Sequence, residues 1–383
     1  VDRTSELNLL RQLIDTLDRK THREGDRERL VDVRLYTDPA RFAQERERWH
    51  SAAPNLAAHA SELPAPGDFV TREVLGQPVL LVRGDDGRAR AFLNVCRHRG
   101  ARVERSAKGR CRRFVCPYHA WSYGRDGALA GVRLPGAFPG LDRATSGLTE
   151  LPCTEHAGFL WVAPRPGTEG ALEPALAALL TEVEALGPER PTLLAWSSRV
   201  WAANWKLLVE GGIESYHFAV AHKGTVGPLF VDTGSQHSTR GRHARLVLPR
   251  RSLRALRASG QPEAEWRLVA HANVLYSLAP NAVILVQDGH YVIILMTPLA
   301  VDLTRVDIAT VGRGSTEGGL SGKARAFLQA NHDFTVRTLE EDFVIGEEIQ
   351  QGLTTGANRH LRFGAVETAL MDFHDALEQA LAP

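Results

Sequence analysis

Cys96-Arg97-His98 and, after seventeen intervening residues, Cys116-Pro117-Tyr118-His119 decide how the rest of this chain is read. Each half pairs one thiol with one imidazole, and the first half has a single residue between them. A Cys-x-His spacing puts both ligands on one tight loop, aimed at different atoms of a larger centre. Two cysteines and two histidines also make a tetrahedral zinc set, but zinc fingers usually keep like ligands together, as Cys-x₂₋₄-Cys and His-x₃₋₅-His. The mixed halves fit instead a two-iron, two-sulfur cluster in which Cys96 and Cys116 take one iron and His98 and His119 the other. Imidazole ligation raises the reduction potential well above that of an all-cysteine cluster, so such a centre accepts electrons and passes them on.

The flanks agree with that reading. Arg99-Gly100 after the first half, and Trp121 with Tyr123-Gly124 after the second, resemble the Rieske domains of ring-hydroxylating oxygenases. Around them the texture is of short β-rich runs punctuated by turns. Val79 to Val82 is apolar, Asp85-Asp86-Gly87 is a turn, Ala91 to Val95 leads into the first ligand loop, and Asp126-Gly127 closes a hairpin after the second. Phe159 to Val162 ends the section, and Pro164, Pro166 and Gly167 mark a linker. Residues 46–165 are therefore expected to form a small antiparallel β domain.

At 383 residues the chain has room for two domains, each with its own core. Forty-six basic against forty-five acidic side chains leave a net charge of +1, which gives no electrostatic case for a nucleic-acid partner. The most apolar stretch, Asn281 to Leu299, is interrupted by Gln287, Asp288 and His290, so no membrane association is expected. Val1 to Thr4 does not read as the start of a secretory signal. Four cysteines are too few for a disulfide framework, and Cys111 and Cys153 read as ordinary small residues. A reducing, cytoplasmic location is the expectation.

Outside the cluster section the periodicity turns helical. Leu7, Leu10, Ile14 and Leu17 mark an amphipathic first helix, and Asp38-Pro39 opens a second that runs toward Trp49. Residues 1–45 are expected to pack on the domain formed by 166–383. In that domain Leu172 to Leu186 is helical and Ser198 to His222 mixes a strand with a long helix. Strands are expected at Val274–Leu278, Ala282–Val286, Tyr291–Thr297 and Arg305–Val311. Helices follow over Ala324–Gln350 and around Val366, Leu370, Phe373, Leu377 and Leu381. The expectation is an α+β domain, a twisted antiparallel sheet with helices packed on one side.

A second constellation lies in Asn204-Trp205-Lys206-Leu207-Leu208-Val209-Glu210-Gly211-Gly212-Ile213-Glu214-Ser215-Tyr216-His217-Phe218-Ala219-Val220-Ala221-His222. On a regular helix five residues turn the chain by about 500°, leaving His217 and His222 some 140° apart. They converge on one ion only if the helix ends or bulges between them. Two imidazoles and one carboxylate make the facial triad of non-haem Fe(II) oxygenases, with positions left open for O2.

Taken together, the two constellations resemble the α subunit of the Rieske non-haem iron oxygenases, the ring-hydroxylating oxygenase family. The resemblance implies a β Rieske domain followed by a catalytic domain of helix-grip type. It implies His217, His222 and a downstream carboxylate as ligands of a mononuclear Fe(II). In Leu339-Glu340-Glu341-Asp342-Phe343 that carboxylate is Asp342, with Glu341 as runner-up. Glu214 would lie between the iron and the cluster of a neighbouring subunit in a homotrimer, hydrogen-bonded to a histidine at each. Electrons from NAD(P)H would arrive through a partner reductase, directly or by way of a ferredoxin. Hydroxylation of an aromatic or other small substrate is the broadest expectation. The section from Tyr36-Thr37-Asp38-Pro39 to Pro66-Gly67-Asp68 is similar to the choline, betaine and carnitine branch, where monooxygenation or demethylation of a quaternary ammonium compound is the alternative. A Rieske electron-transfer protein is the non-enzymatic alternative. Phe230, Tyr276 and Leu285 are candidates for the pocket. Gly211-Gly212 departs from the Asn-Phe of many relatives, and either widens the space above the metal or lets the helix distort.

Overall fold

A computed structural model describes residues 3–19, 27–168, 170–232, 234–314 and 322–382. They form two compact units, His50–Leu172 and the combination of Val1–Trp49 with Glu173–Pro383. The borders thus fall a few residues beyond 46 and 165. Trp49 explains the first shift: its indole N–H donates to Pro280 O at 3.2 Å and its ring packs on Trp205 and Phe373. At the other end Thr154 Oγ1 donates to Gly170 O at 2.6 Å, which keeps the linker with the smaller unit.

The smaller unit is built on antiparallel strands. Five pair in the order Glu150–Leu151, Ala89–Leu93, Gln77–Arg83, Asp68–Val74 and Lys108–Arg110, and three in the order Cys153–His156, Phe159–Val162 and Asn55–His59. Side chains alternate across a strand, and Gln77–Arg83 shows why no polar face is left on it. Val79 and Leu81 join one core with Val70, Leu160 and Val162; Leu80 and Val82 join another with Phe92, Phe114, Trp121 and Tyr123. The second core surrounds Cys96 and Cys116. A short three-stranded sheet, Phe114–Val115, Ser122–Tyr123 and Leu129–Gly131, carries the second ligand loop and the hairpin expected at Asp126-Gly127.

In the larger unit the N-terminal helices are α1, Arg3–Arg19, and α2, Pro39–Glu45, the latter capped by Asp38, whose carboxylate accepts from Ala40 N at 2.8 Å with Pro39 in the first turn. Helix α3 follows at Pro174–Leu186, α4 at Trp205–Gly212, α5 at Gly322–Thr354 and α6 at Thr368–Leu381. Seven antiparallel strands run in the order Pro191–Trp201, Leu303–Arg313, His290–Ala300, Ala282–Gln287, Ala272–Leu278, His243–Pro249 and Gln236–Arg240. The last two were not expected from sequence. Helices α4, α5 and α6 share a core with one face of this sheet, including Leu275, Val283, Ile294, Phe343 and Leu370. The other face is not bare, as one-sided packing would leave it. Tyr276, on the opposite side of its strand from Leu275, donates from its hydroxyl to Glu182 on α3 at 3.4 Å.

Candidate active site

The two cluster loops have the same backbone. Cys96 N donates to Ala101 O at 2.8 Å and Gly100 N to Cys96 O at 2.9 Å; Cys116 N donates to Trp121 O at 2.8 Å and Ala120 N to Cys116 O at 3.1 Å. In both, the fourth residue after the cysteine is left-handed, Gly100 at φ 75° and Ala120 at φ 59°. Glycine suits that conformation and alanine is strained in it. The thiols are buried, and burial pushes the Cys116 thiol up, with Cys96 beside it adding to the shift. The imidazoles lie further out: the rings of His98 and His119 are 4.7 Å apart, and His98 stacks on Trp121. His119 Nδ1 is buried without a hydrogen-bond partner among the described residues, as suits a nitrogen that ligates a metal. Tyr123 Oη lies 3.3 Å from Cys96 Sγ and accepts from Arg97 N at 3.0 Å.

The larger unit brings His217, His222 and Asp342 together. Helix α4 ends at Gly212, His217 precedes a single helical turn, Phe218–Ala221, and His222 follows it. The helix therefore stops rather than bulges, and the 140° problem does not arise. Gly227 lets the chain fold back tightly, since a Cβ there would lie 2.5 Å from Phe218 O and 2.8 Å from His222 O. Asp342 comes from α5, which approaches α4 closely at Gly346, where a Cβ would lie 2.9 Å from Leu208 Cδ2.

The three donor atoms form a triangle. His217 Nε2 and His222 Nε2 are 3.1 Å apart, and Asp342 Oδ1 is 3.3 Å from the first and 2.9 Å from the second. Donors about 2.1 Å from one ion and at right angles to each other lie about 3.0 Å apart, so this set fits one face of an octahedron. Among the described residues it is the group of three or more acids, histidines or cysteines close enough to share one ion. Glu341 points elsewhere: its Oε2 is 2.7 Å from His222 Nδ1 and accepts from Thr225 Oγ1 at 2.7 Å. Glu214 does the same for the other ring, contacting His217 Nδ1 and accepting from its backbone N at 3.3 Å. Each imidazole thus has one nitrogen on a carboxylate and the other turned inward, which fixes ring and tautomer as second carboxylates do at metal sites. Burial alone would push both histidines down. The facing carboxylates outweigh it, with His217 held up at about 10 by Asp342 and Glu214 and His222 raised by Asp342 and Glu341; burial pushes the Asp342 carboxyl up, and the two rings pull it net below its ordinary range.

A cavity of about 560 Å³ opens on His222 and Asp342. Phe230 and Leu285 line it as expected; Tyr276 does not, because it sits on the α3 face of the sheet. Gly211 and Gly212 line it too. Neither adopts a left-handed φ, and a Cβ on Gly211 would be 3.8 Å from Asp342 Cβ, an ordinary contact, so these glycines leave space rather than permit a distortion. Sequence reading missed Gly227, Thr225, Arg250 and Asn273, none of which belongs to a spacing motif.

Residues 189–382 match the model of the ring hydroxylating alpha subunit (catalytic domain), and residues 53–142 match the Rieske [2Fe-2S] domain. The chain belongs to the ring-hydroxylating alpha-subunit family. Within this family the two matched domains are the ones that carry a Rieske cluster and a mononuclear iron, and both donor sets described above suit those groups. The large subunit of anthranilate 1,2-dioxygenase from Acinetobacter baylyi is 34% identical over 49% of this chain and 41% of its own length. The oxygenase subunit of glycine betaine monooxygenase from Chromohalobacter salexigens is 35% identical over 58% of this chain and 50% of its own length. The chain spans about half the length of the curated relatives it matches. A solved quaternary ammonium Rieske monooxygenase, studied for carnitine oxidation and inter-subunit electron transfer, superimposes with a TM-score of 0.75. That match covers 92% of this alpha subunit and 95% of the other chain at 24% identity, a likeness of fold. No helix among the described residues is long and apolar enough to cross a membrane.

Proposed function

We propose that this alpha subunit is a Rieske oxygenase that inserts oxygen from O2 into a small organic substrate, with electrons drawn from NAD(P)H through a partner reductase or ferredoxin. The observation that carries this reading is the triangle of His217 Nε2, His222 Nε2 and Asp342 Oδ1 facing a largely apolar cavity. Cys96, Cys116, His98 and His119 would hold the cluster, and His217, His222 and Asp342 the mononuclear iron. When bound, the cluster supplies electrons singly and the ferrous ion supplies open positions for O2 beside the substrate.

The protein's own groups prepare that chemistry. Glu214 and Glu341 each hold a proton at an Nδ1, which leaves the Nε2 lone pairs of His217 and His222 directed inward. Phe218 packs on both imidazoles, with ring centroids 4.9 and 5.4 Å away, and keeps water from one side of the site. The apolar walls hold a substrate against the donor set by excluding solvent. A trimer in which Glu214 lies between the centres of neighbouring subunits is part of the proposal, supported by the inter-subunit electron transfer studied in the structural relative. Aromatic hydroxylation is supported by the anthranilate dioxygenase relative, and monooxygenation of a methylated ammonium compound by the betaine relative. A reducing, cytoplasmic location is part of the proposal, supported by two cysteines placed to bind iron as thiolates.

Metal analysis and reduced-state EPR of the purified protein test the reading. The expected result is two cluster irons and one further iron per chain, a Rieske signal, and substrate-dependent O2 uptake with a surrogate reductase. Cluster iron alone would make it an electron-transfer protein, and zinc alone would remove the redox reading.

A further inference from the structure

The cavity that opens on His222 and Asp342 is not apolar throughout. Leu208, Phe218, Leu275, Ile294 and Phe343 supply much of its wall, while Arg250, Arg251, Asn273 and Gln287 are among its polar residues, the Nε of Arg251 being taken by Phe230 O at 3.0 Å. Arg250 directly follows the strand His243–Pro249 and is fixed at its backbone: its N–H donates to His271 O at 2.8 Å, and it bridges Phe230 across a short antiparallel contact. Its guanidinium is half-buried, lies over the Phe230 ring, and has no carboxylate within ion-pair distance among the described residues. Nε and Nη2 both donate to Asn273 Oδ1, at 3.2 and 2.8 Å.

That contact also fixes the amide. A guanidinium has only donors, so it must face the oxygen of Asn273, and the Nδ2 donors are left without a partner among the described residues. Asn273 is buried in the protein and lines the cavity. Nη1 of Arg250 is likewise unpartnered there. Among the described residues the only acid in the lining is Asp342, which already faces two imidazoles. A permanently charged group set into an apolar wall without a counter-ion is costly unless something negative arrives to meet it. Burial lowers the pKa of Arg250, and Asp288, the acid that opposes the shift, lies beyond ion-pair reach.

We propose that Arg250 and Asn273 form the anchor for the carboxylate of an organic acid, whose apolar body fills the cavity beside His222 and Asp342. With the Nε side turned to Asn273, the guanidinium edge that remains, Nη1 and the second Nη2 proton, and the neighbouring amide N–H₂ are the donors a carboxylate fork would use. The assignment rests on the oxygenase reading for what then happens to the substrate, but the binding claim stands by itself. It makes Arg250 a specificity-determining residue: neutral and purely cationic molecules of the same shape would leave a half-buried charge unmet.

Calorimetric titration of the iron-loaded protein with two matched pairs, benzoate against benzamide and butyrate against butyramide, tests it. In the unmodified protein at least one acid should bind about tenfold or more tighter than its amide. In Arg250→Met that preference should vanish, with the acid weakened about ten- to a hundredfold and the amide within about twofold, which also shows the cavity intact. Arg250→Lys should keep part of the preference, because charge remains but the fork is lost. Equal binding of acid and amide, no binding of either pair, or an acid preference that survives in Arg250→Met would overturn the anchor. Iron content and EPR on the same samples separate the two claims. In the unmodified protein, no acid preference with both iron centres present sinks the anchor alone, whereas an acid preference in protein that cannot hold the mononuclear iron sinks the oxygenase reading alone.

Discussion

Two single residues carry consequences that can be measured at the metal centres. Arg97 N–H occupies the oxygen of Tyr123, so the phenol proton is free to turn toward Cys96 Sγ. A hydrogen bond to a cluster sulfur favours the reduced, more negative state and raises the potential. Tyr123→Phe is expected to lower the potential by tens of millivolts with iron content unchanged, as read by a redox titration followed by EPR. Gly227 is the second. Its Cβ position is already taken by the carbonyls of Phe218 and His222, so Gly227→Ala must push His222 away from Asp342. We expect the mononuclear iron to be lost and the Rieske signal to persist; full iron content in this variant would show that the turn can relax.

At the scale of elements, α4 is the support on which the mononuclear site is built. Its first residues are held by Asn204, whose side chain accepts from Lys206 N at 3.0 Å while its backbone N–H donates to Gln350 of α5 at 2.9 Å. Lys206 is wholly buried and pairs with Glu45 at the end of α2, at 2.7 and 2.9 Å, and Trp205 and Arg41 also donate to that carboxylate. Burial pulls the Lys206 pKa down and Glu45 opposes it. Removing one partner of a buried pair strands the other charge, so Glu45→Ala should cost about 3–5 kcal/mol. Replacing both residues with methionine should recover most of it. Urea unfolding of the larger unit would show this, and a shift below about 1 kcal/mol for the single variant would contradict it. The same scale shows where sequence reading stops. Asp38-Pro39 announces α2 because a cap is a local event, whereas the phase of a strand is not. Tyr276 was expected in the pocket, but alternation along Ala272–Leu278 gives that face to Leu275. Gln236–Arg240 and His243–Pro249 went unseen because the first has no large apolar side chain and the second, with Leu246, Val247 and Leu248 in a row, does not alternate.

Over the whole molecule, what was legible is what lies close along the chain. Cys96 with His98, Cys116 with His119, and His217 with His222 are pairs on single loops, and residue type and spacing suffice to single them out. Asp342 stands more than a hundred residues from His222, among neighbouring acids, and only the seating of α5 on α4 at Gly346 aims it at the imidazoles while Glu341 takes the far nitrogen of His222. Arg250 and Asn273 meet only because their strands are neighbours, with Asn273 opposite Leu248, a relation no motif encodes. The placement of sulfur inside and imidazole toward the rim has its own outcome. The iron held by the rings would be the one nearest the outer boundary, so a donor or acceptor of charge gains most by docking over His98 and His119. Any bulky group planted on that rim, at Tyr118 for instance, would lengthen the tunnelling path and slow traffic in both directions.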